Sequence, residues 1–319
     1  MISLDDLRLA QRRIRDIAAR TPLVRCYSQS DSQLWFKPES FQPIGSFKLR
    51  GAYNKIASLT DEERSHGVIT YSSGNHAQGV AYAARAMNTK AVIVMPRNAP
   101  KIKMDATAAL GAEIVLVGPG SSERQQRAEE LAAQHGYVII PPYNDERIIA
   151  GQGTAGLEIL EDLPDVDLVL VPIGGGGLIS GIASAIKLSG SRAKVIGVEP
   201  ALANDAQQSF RAGHLVSITA ERASSTLADG LRTQSVGPIN FEHIRAHVDD
   251  IIAVTESEIT SAMRQIANAA RLVAEPSGAV TSAAYFFHFA ELPAHKKAVA
   301  VISGGNLDPK LLAEVLSRE

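Results

Sequence analysis

The 319-residue chain is short of cysteine, of aromatic side chains and of net charge. One cysteine, Cys26, cannot close an intrachain disulfide or build a cysteine-ligated zinc or iron–sulfur site. Its 32 Lys and Arg nearly cancel 34 Asp and Glu, leaving a formal charge of −2, so the concentrated basic footprint that nucleic acid requires is missing. No run of about 18 apolar residues occurs, so no transmembrane helix and no membrane partner are expected. The opening MISLDDLRLAQRRIRDIAAR alternates charge with apolar residues at helical spacing, unlike a signal peptide. What remains is a soluble, cytoplasmic protein. It is 45% hydrophobic and glycine-containing, long enough for one large α/β unit or two modest domains at roughly 100–200 residues each.

Short Val/Ile/Leu runs alternate with helical periods almost throughout. Runs at 67–70, 91–96 and 113–118 form a first series that closes near Pro141, and runs at 166–172, 194–200 and 298–306 form a second. Continuous apolar runs of this length suit parallel strands buried on both faces. Two such series imply two wound sheets with a cleft between them, joined by a linker at Pro141-Pro142-Tyr143-Asn144. The stretch 256–287 reads as one helix, and 201–250 carries no clear pattern.

Three glycine-rich turns offer anion sites. The run VDLVLVP meets Gly174, Gly175, Gly176 and Gly177, and a helical period follows at once. Glycine lets backbone N–H groups approach an anion, and the helix N-terminus adds unpaired donors and partial positive charge, so a phosphate is the expected ligand. A tight turn alone rarely needs four glycines, and no Gly-Lys-Ser/Thr follows to make a P-loop. Gly151-Gln152-Gly153-Thr154-Ala155-Gly156 satisfies the dinucleotide pattern literally, but without a proper strand before it, close helix packing is the better reading. Ser72-Ser73-Gly74-Asn75-His76 follows a strand and opens a helix, a ring of donors sized for a carboxylate, or an ordinary cap.

Lys48, in Gly45-Ser46-Phe47-Lys48, opens another helical stretch. A lysine becomes a nucleophile when partial burial lowers its pKa; alone, it reads as a surface residue. With Ser72 to His76, Gly174 to Gly177 and Ser303-Gly304-Gly305-Asn306 in that order, however, the chain closely resembles the fold-type II pyridoxal-phosphate enzymes, specifically the serine/threonine dehydratase and serine racemase group.

The resemblance implies an α/β fold of the tryptophan synthase beta type, two wound parallel sheets with pyridoxal 5'-phosphate in the cleft between them. It implies a small domain at 67–144 inserted into a large one made of 1–66 and 145–319. By the same resemblance Lys48 links covalently to the cofactor aldehyde, Phe47 packs near its ring and Asn75 bonds its phenolic oxygen. The amides of Gly174, Gly175, Gly176 and Gly177 cradle its phosphate, and Ser303 bonds its pyridine nitrogen. A neutral hydroxyl there makes a weaker electron sink than a carboxylate would, which suits β-elimination. The amides of Ser72, Asn75 and His76 hold the substrate carboxylate, while Lys48 takes the Cα proton as general base. The expected activity is an ammonia-lyase (dehydratase) turning L-threonine or L-serine into a 2-oxo acid and ammonia. Ser73 corresponds to the family serine on the opposite face, so a serine racemase with side elimination is the alternative.

Glu199, the Ala203 carbonyl and Asp205 match positions that bind a divalent cation in racemase-like members; hard oxygen ligands suit Mg²⁺, Ca²⁺ or Mn²⁺, against an ordinary acidic loop. Arg232 is a candidate partner for a second substrate carboxylate, which would favour 3-hydroxyaspartate; an exposed arginine is the plainer reading. The substrate is expected to be a small amino acid and the assembly a homo-oligomer, dimer or tetramer. Little sequence follows the Ser303 motif, so no C-terminal regulatory domain like that of biosynthetic threonine dehydratases is expected.

Overall fold

A computed structural model describes residues 1–27, 32–99, 101–118 and 120–317. The chain opens with α1 (Leu4–Ile14), which starts at a reciprocal cap: the Ser3 hydroxyl accepts from the Asp6 amide and the Asp6 carboxylate accepts from the Ser3 amide. An antiparallel pair follows, β1 (Val24–Cys26) and β2 (Gln33–Pro38), then α2 (Lys48–Ala57) and α3 (Asp61–His66). The first apolar series becomes β3 (Val68–Tyr71), α4 (Asn75–Ala86), β4 (Ala91–Pro96), α5 (Lys101–Ala109), β5 (Glu113–Val117), α6 (Ser121–His135) and β6 (Val138–Ile139). These strands form a four-stranded parallel sheet in the order β5-β4-β3-β6.

The second series begins with α7 (Glu146–Asp162), whose Asp145 cap accepts from the amides of Arg147 and Ile148. It continues through β7 (Leu168–Pro172), α8 (Gly177–Leu188), β8 (Lys194–Pro200), α9 (Asp205–Ala212), α10 (Ala220–Ser224), α11 (Pro238–His247) and β9 (Asp250–Val254). Then come α12 (Glu256–Ala270), α13 (Pro276–Phe287), β10 (Lys297–Ile302) and α14 (Pro309–Ser317). The six-stranded sheet runs β1-β2-β10-β7-β8-β9 and is parallel except at β1. One apolar layer, including Ala262, Met263 and Val280, covers one face, and another, including Ile159, Ile179 and Ile182, covers the other. Burial on both faces explains the unbroken Val/Ile/Leu runs.

Two sequence expectations change here. The single helix over 256–287 is two, because Arg271 takes a left-handed conformation (φ 59°) and Pro276 then starts a new helix at its first position. The two outer pieces of the large sheet, the β1–β2 pair and β9, were not among the expected strands.

Gly151, Gly153 and Gly156 lie inside α7, and packing accounts for each. A Cβ on Gly151 would come within 2.6 Å of the Arg50 carbonyl, and one on Gly156 within 3.0 Å of the Ile182 carbonyl. On Gly153 it would collide with Leu7 and the backbone of Gly181. The glycines let α7 press against α2 and α8, and no strand leads into them.

Under the start of α2 lies a buried charge network. Arg50 donates to Glu39 through Nε (2.7 Å) and to Glu158 through Nη1 (2.7 Å), while Lys37 donates to Glu158 at 2.6 Å. Two cations face two anions, so the interior carries no net charge there, and the Thr21 hydroxyl and carbonyl complete the shell.

Candidate active site

The C-terminal ends of β2, β10, β7 and β8 deliver four of the sequence motifs to one edge of the large sheet, where open parallel sheets place their ligands. Beyond β2 the chain turns through Gly45 and into α2, and this turn is stitched to the end of β10. Phe47 N donates to the Ser303 carbonyl (3.0 Å), Gly305 N to the Gly45 carbonyl (2.9 Å), and Asn306 Nδ2 to the Ile44 carbonyl (2.7 Å). Gly45 has φ +72°, and a Cβ there would run into the Asn306 side chain, so only glycine allows this contact. Lys48 and Ser303 are thereby brought together from opposite ends of the sequence.

Asn75 arrives from the other sheet. It opens α4 directly after β3, and its Oδ1 accepts from the same Asn306 amide at 2.8 Å. Its Nδ2 donates to Glu275 Oε1 at 2.7 Å. Glu275 is buried, and desolvation followed by the charge of Asp229 pushes its carboxyl up to about 8. Asp229 also pairs with Lys103 of α5, a second contact that ties the four-stranded sheet's helices to the large sheet.

The Lys48 amine donates to the Pro142 carbonyl at 2.7 Å and stands 5.2 Å from the centre of the Phe47 ring. Part of the side chain still reaches the cleft, but protein crowds the amine, and burial lowers it to about 8. A neutral fraction is therefore present near neutral pH, as a nucleophile or base requires. The segment 141–144, read from sequence as a linker, is part of this site.

Gly174, Gly175, Gly176 and Gly177 are buried at the turn from β7 into α8. Among the described residues their four amides donate to no protein acceptor. Buried N–H groups are almost always paired, so this row is complete only with an anion against it. The glycines also answer to packing, which the sequence did not reveal. Gly176 has φ +92°, a Cβ on Gly174 would sit 3.1 Å from the Gly230 carbonyl, and one on Gly175 would enter the Tyr143 ring. Tyr143 thus caps the turn, and Asn240 fixes it by donating to the Tyr143 carbonyl at 3.3 Å.

Ser72, Ser73 and Gly74 form the loop before α4, with space open beside Gly74. The amides of Asn75 and His76, in the first turn, have no acceptor among the described residues. The His76 side chain points elsewhere: it is 3% exposed, its Nε2 lies 3.0 Å from the Ile140 carbonyl, and burial together with the nearby Lys48 charge lowers it to about 3. Ser303 is buried, and its hydroxyl makes one long contact, 3.4 Å to the Ser277 carbonyl.

Glu199 and Asp205 come together behind β8. Glu199 is fully buried and accepts from the amides of Ala206 (3.1 Å) and Gln207 (2.8 Å). Both Asp205 carboxylate oxygens are buried without a well-aligned partner, although its own amide and that of Val236 lean toward them. Desolvation raises both carboxyls, Asp205 to about 7 and Glu199, beside the Asp205 charge, well above the carboxylate range. Ala203, itself buried, ends the short turn between them. Among the described residues no three His, Cys, Asp or Glu side chains gather to hold a metal. Arg232 is exposed and spends Nε and Nη2 on the Thr226 carbonyl, at 2.9 and 2.7 Å.

The sequence profile of the family described as pyridoxal-phosphate dependent enzyme matches residues 14–304. The chain is 44% identical to the L-threonine ammonia-lyase of Thermotoga maritima, over 100% of this chain and 79% of that protein. It is 42% identical to the L-threo-3-hydroxyaspartate ammonia-lyase of Saccharomyces cerevisiae, over 97% and 94% of the two chains. Among solved structures, the serine racemase of Dictyostelium discoideum superposes with a TM-score of 0.90 at 36% identity, covering 96% of this chain and 99% of that one.

Proposed function

Since the chain belongs to the pyridoxal-phosphate dependent enzyme family, we propose that it is an ammonia-lyase that eliminates water from a hydroxy amino acid, L-threonine or L-serine, to give a 2-oxo acid and ammonia. The observation that carries this reading is the Lys48 amine, lowered to about 8 by burial on a turn bonded to the end of β10, where Ser303 offers a hydroxyl rather than a carboxylate. The four unpaired amides of Gly174 to Gly177 fit the cofactor's phosphate, and the Asn75 and Ser303 side chains fit the two polar edges of its ring. When bound, pyridoxal phosphate supplies an electron sink conjugated to the substrate nitrogen. The chain's own groups do the rest. The amides of Ser72, Asn75 and His76 hold the substrate carboxylate, Phe47 packs beside the ring, and Lys48 Nζ takes the Cα proton as the β-hydroxyl departs. Ser73 is placed in the same loop, and a hydroxyl able to return a proton from the other face makes serine racemisation the alternative outcome.

The test is incubation with L-serine, following pyruvate by a coupled assay and D-serine by chiral separation. Pyruvate without D-serine supports the lyase; D-serine without pyruvate overturns it in favour of the racemase. Running L-threonine and L-threo-3-hydroxyaspartate beside it ranks the substrates, and with Arg232 engaged by Thr226 we place threonine and serine first.

Two buried carboxylates side by side, with both Asp205 oxygens unpaired, support a divalent cation held by Glu199, Asp205 and the Ala203 carbonyl, stiffening the wall of the cleft. We further read 67–144 as a small domain inserted in a large one of 1–66 and 145–319, a reading supported by the four-stranded sheet drawing only on β3 to β6. The homo-oligomer is carried over from the family resemblance and the cytoplasmic location from the sequence reading; the exposed Tyr27 and Phe41 are side chains that association would cover.

A further inference from the structure

The His76 side chain has no place in the reaction just described, yet it is 3% exposed and a few residues from the reacting amine along a chain of contacts. Its Nε2 is 3.0 Å from the Ile140 carbonyl, which can only accept, so Nε2 carries the proton and Nδ1 the lone pair. Nδ1 is buried with no partner, and burial with the Lys48 charge holds the ring neutral. The same Ile140 carbonyl accepts from Thr70 Oγ1 at 2.7 Å, and the Ile140 amide donates to the Ile69 carbonyl at 2.8 Å. Ile140 is thus pinned to β3 and α4 at both its polar groups.

Two residues on, the Pro142 carbonyl receives the Lys48 amine at 2.7 Å. Pro141 and Pro142 both have a fixed φ, so only ψ rotations remain between Ile140 and that carbonyl. With few rotations between them, Ile140 and the Pro142 carbonyl are placed together. Lys48, on α2, is the charge that acts on His76; its other polar contacts, Ile140 and through it Thr70, are uncharged.

We propose that the His76 side chain is a positioning residue for Lys48, an uncharged donor that fixes the Ile140–Pro142 segment so that the Pro142 carbonyl stands where the amine is received. Neutrality matters: a cationic donor in the same place would set a second positive charge beside the amine. The inference rests on the proposed function only in taking Lys48 as the reacting amine.

The experiment measures the titration of Lys48 in cofactor-free protein, from the rate of its acylation by an amine-selective reagent against pH, located by peptide mass spectrometry. The unmodified protein should titrate near 8. His76→Leu removes the donor at similar bulk; the segment loosens, water reaches the amine, and the midpoint should rise by about one unit or more. His76→Gln keeps a neutral N–H donor and should hold the midpoint. In loaded enzyme the Leu variant should lose kcat about tenfold with KM little changed, because the backbone amide still binds the carboxylate. If His76→Leu does not fold, His76→Asn, too short to reach Ile140, takes its place. A midpoint unchanged in the donor-less variant, or equally shifted in the Gln variant, overturns the proposal. An enzyme that titrates as expected but turns over none of the hydroxy amino acids sinks the proposed reaction and leaves this inference standing.

Discussion

The Asn75 amide donates to Glu275 Oε1 at 2.7 Å, joining residues 200 positions apart in sequence across the cleft. Glu275 is also the carboxyl that burial pushes up to about 8. Unfolded, it ionises near 4.5; folded, it keeps its proton until about 8. Folding therefore binds a proton between these values, and its contribution to stability is full below 4.5 and lost as pH rises through 8. Glu275→Gln should flatten that part of the stability profile. Thermal unfolding of cofactor-free protein between pH 5 and 8 checks it; an unchanged slope means that Glu275 ionises normally.

Lys48 supplies a second pH dependence of the opposite chemical sense. Only the neutral amine can capture an aldehyde, and its fraction grows as pH rises through about 8. The rate of cofactor uptake by cofactor-free protein should climb with pH and level off above that value. Stopped-flow absorbance reads this directly, and a plateau reached only near an ordinary lysine's pKa would show the amine to be solvated. Lys48→Ala should abolish the covalent cofactor band at every pH.

Arg50 faces Glu39 and Glu158 with no solvent access. Arg50→Met leaves the two carboxylates with Lys37 as their one buried cation, at a cost of about 3–5 kcal/mol for a broken buried pair. Denaturant unfolding should show the loss in midpoint with little change in slope. A loss below about 1 kcal/mol would mean that the network relaxes to admit water.

Gly175 separates packing from phosphate binding. Gly175→Ala drives a methyl into the Tyr143 ring and should weaken cofactor affinity about tenfold or more, or about 1.4 kcal/mol. Adding Tyr143→Ala makes room and should recover part of it, measured by cofactor titration. No recovery would place the defect in the amide cradle itself.

The Glu199–Asp205 pair predicts a thermal shift with millimolar Mg²⁺ or Ca²⁺. A cation at about a hundred times its Kd adds about 2.7 kcal/mol. Asp205→Asn should abolish the increment, since it removes the carboxylate whose two buried oxygens have no partner. The absence of any shift in the unmodified protein would remove the cation from the reading.

Most elements of the fold were legible because periodicity is local. Val68–Tyr71, Ala91–Pro96 and Lys194–Pro200 appear where their apolar runs lie, since a strand buried on both faces must be apolar throughout. The break at Arg271 is not legible there because a left-handed arginine leaves no mark in composition. The four cofactor motifs were recognisable as a set, and order along the chain made them so. The short, balanced sequence with one cysteine therefore settled by itself the fold class and the family resemblance, and it marked Lys48, Asn75, Gly174 to Gly177 and Ser303 as candidates for the site.

Tertiary structure alone decided what those residues touch. Asn306 joins Asn75 to the lysine turn, Pro142 receives the lysine amine, and Tyr143 explains a glycine that phosphate binding alone would have claimed. It also made Glu275 a buried acid and the Gly151 to Gly156 run a helix–helix contact. The physical reason is common to all of these: burial and hydrogen bonding depend on neighbours brought from far along the chain, and no local pattern records which neighbours will arrive.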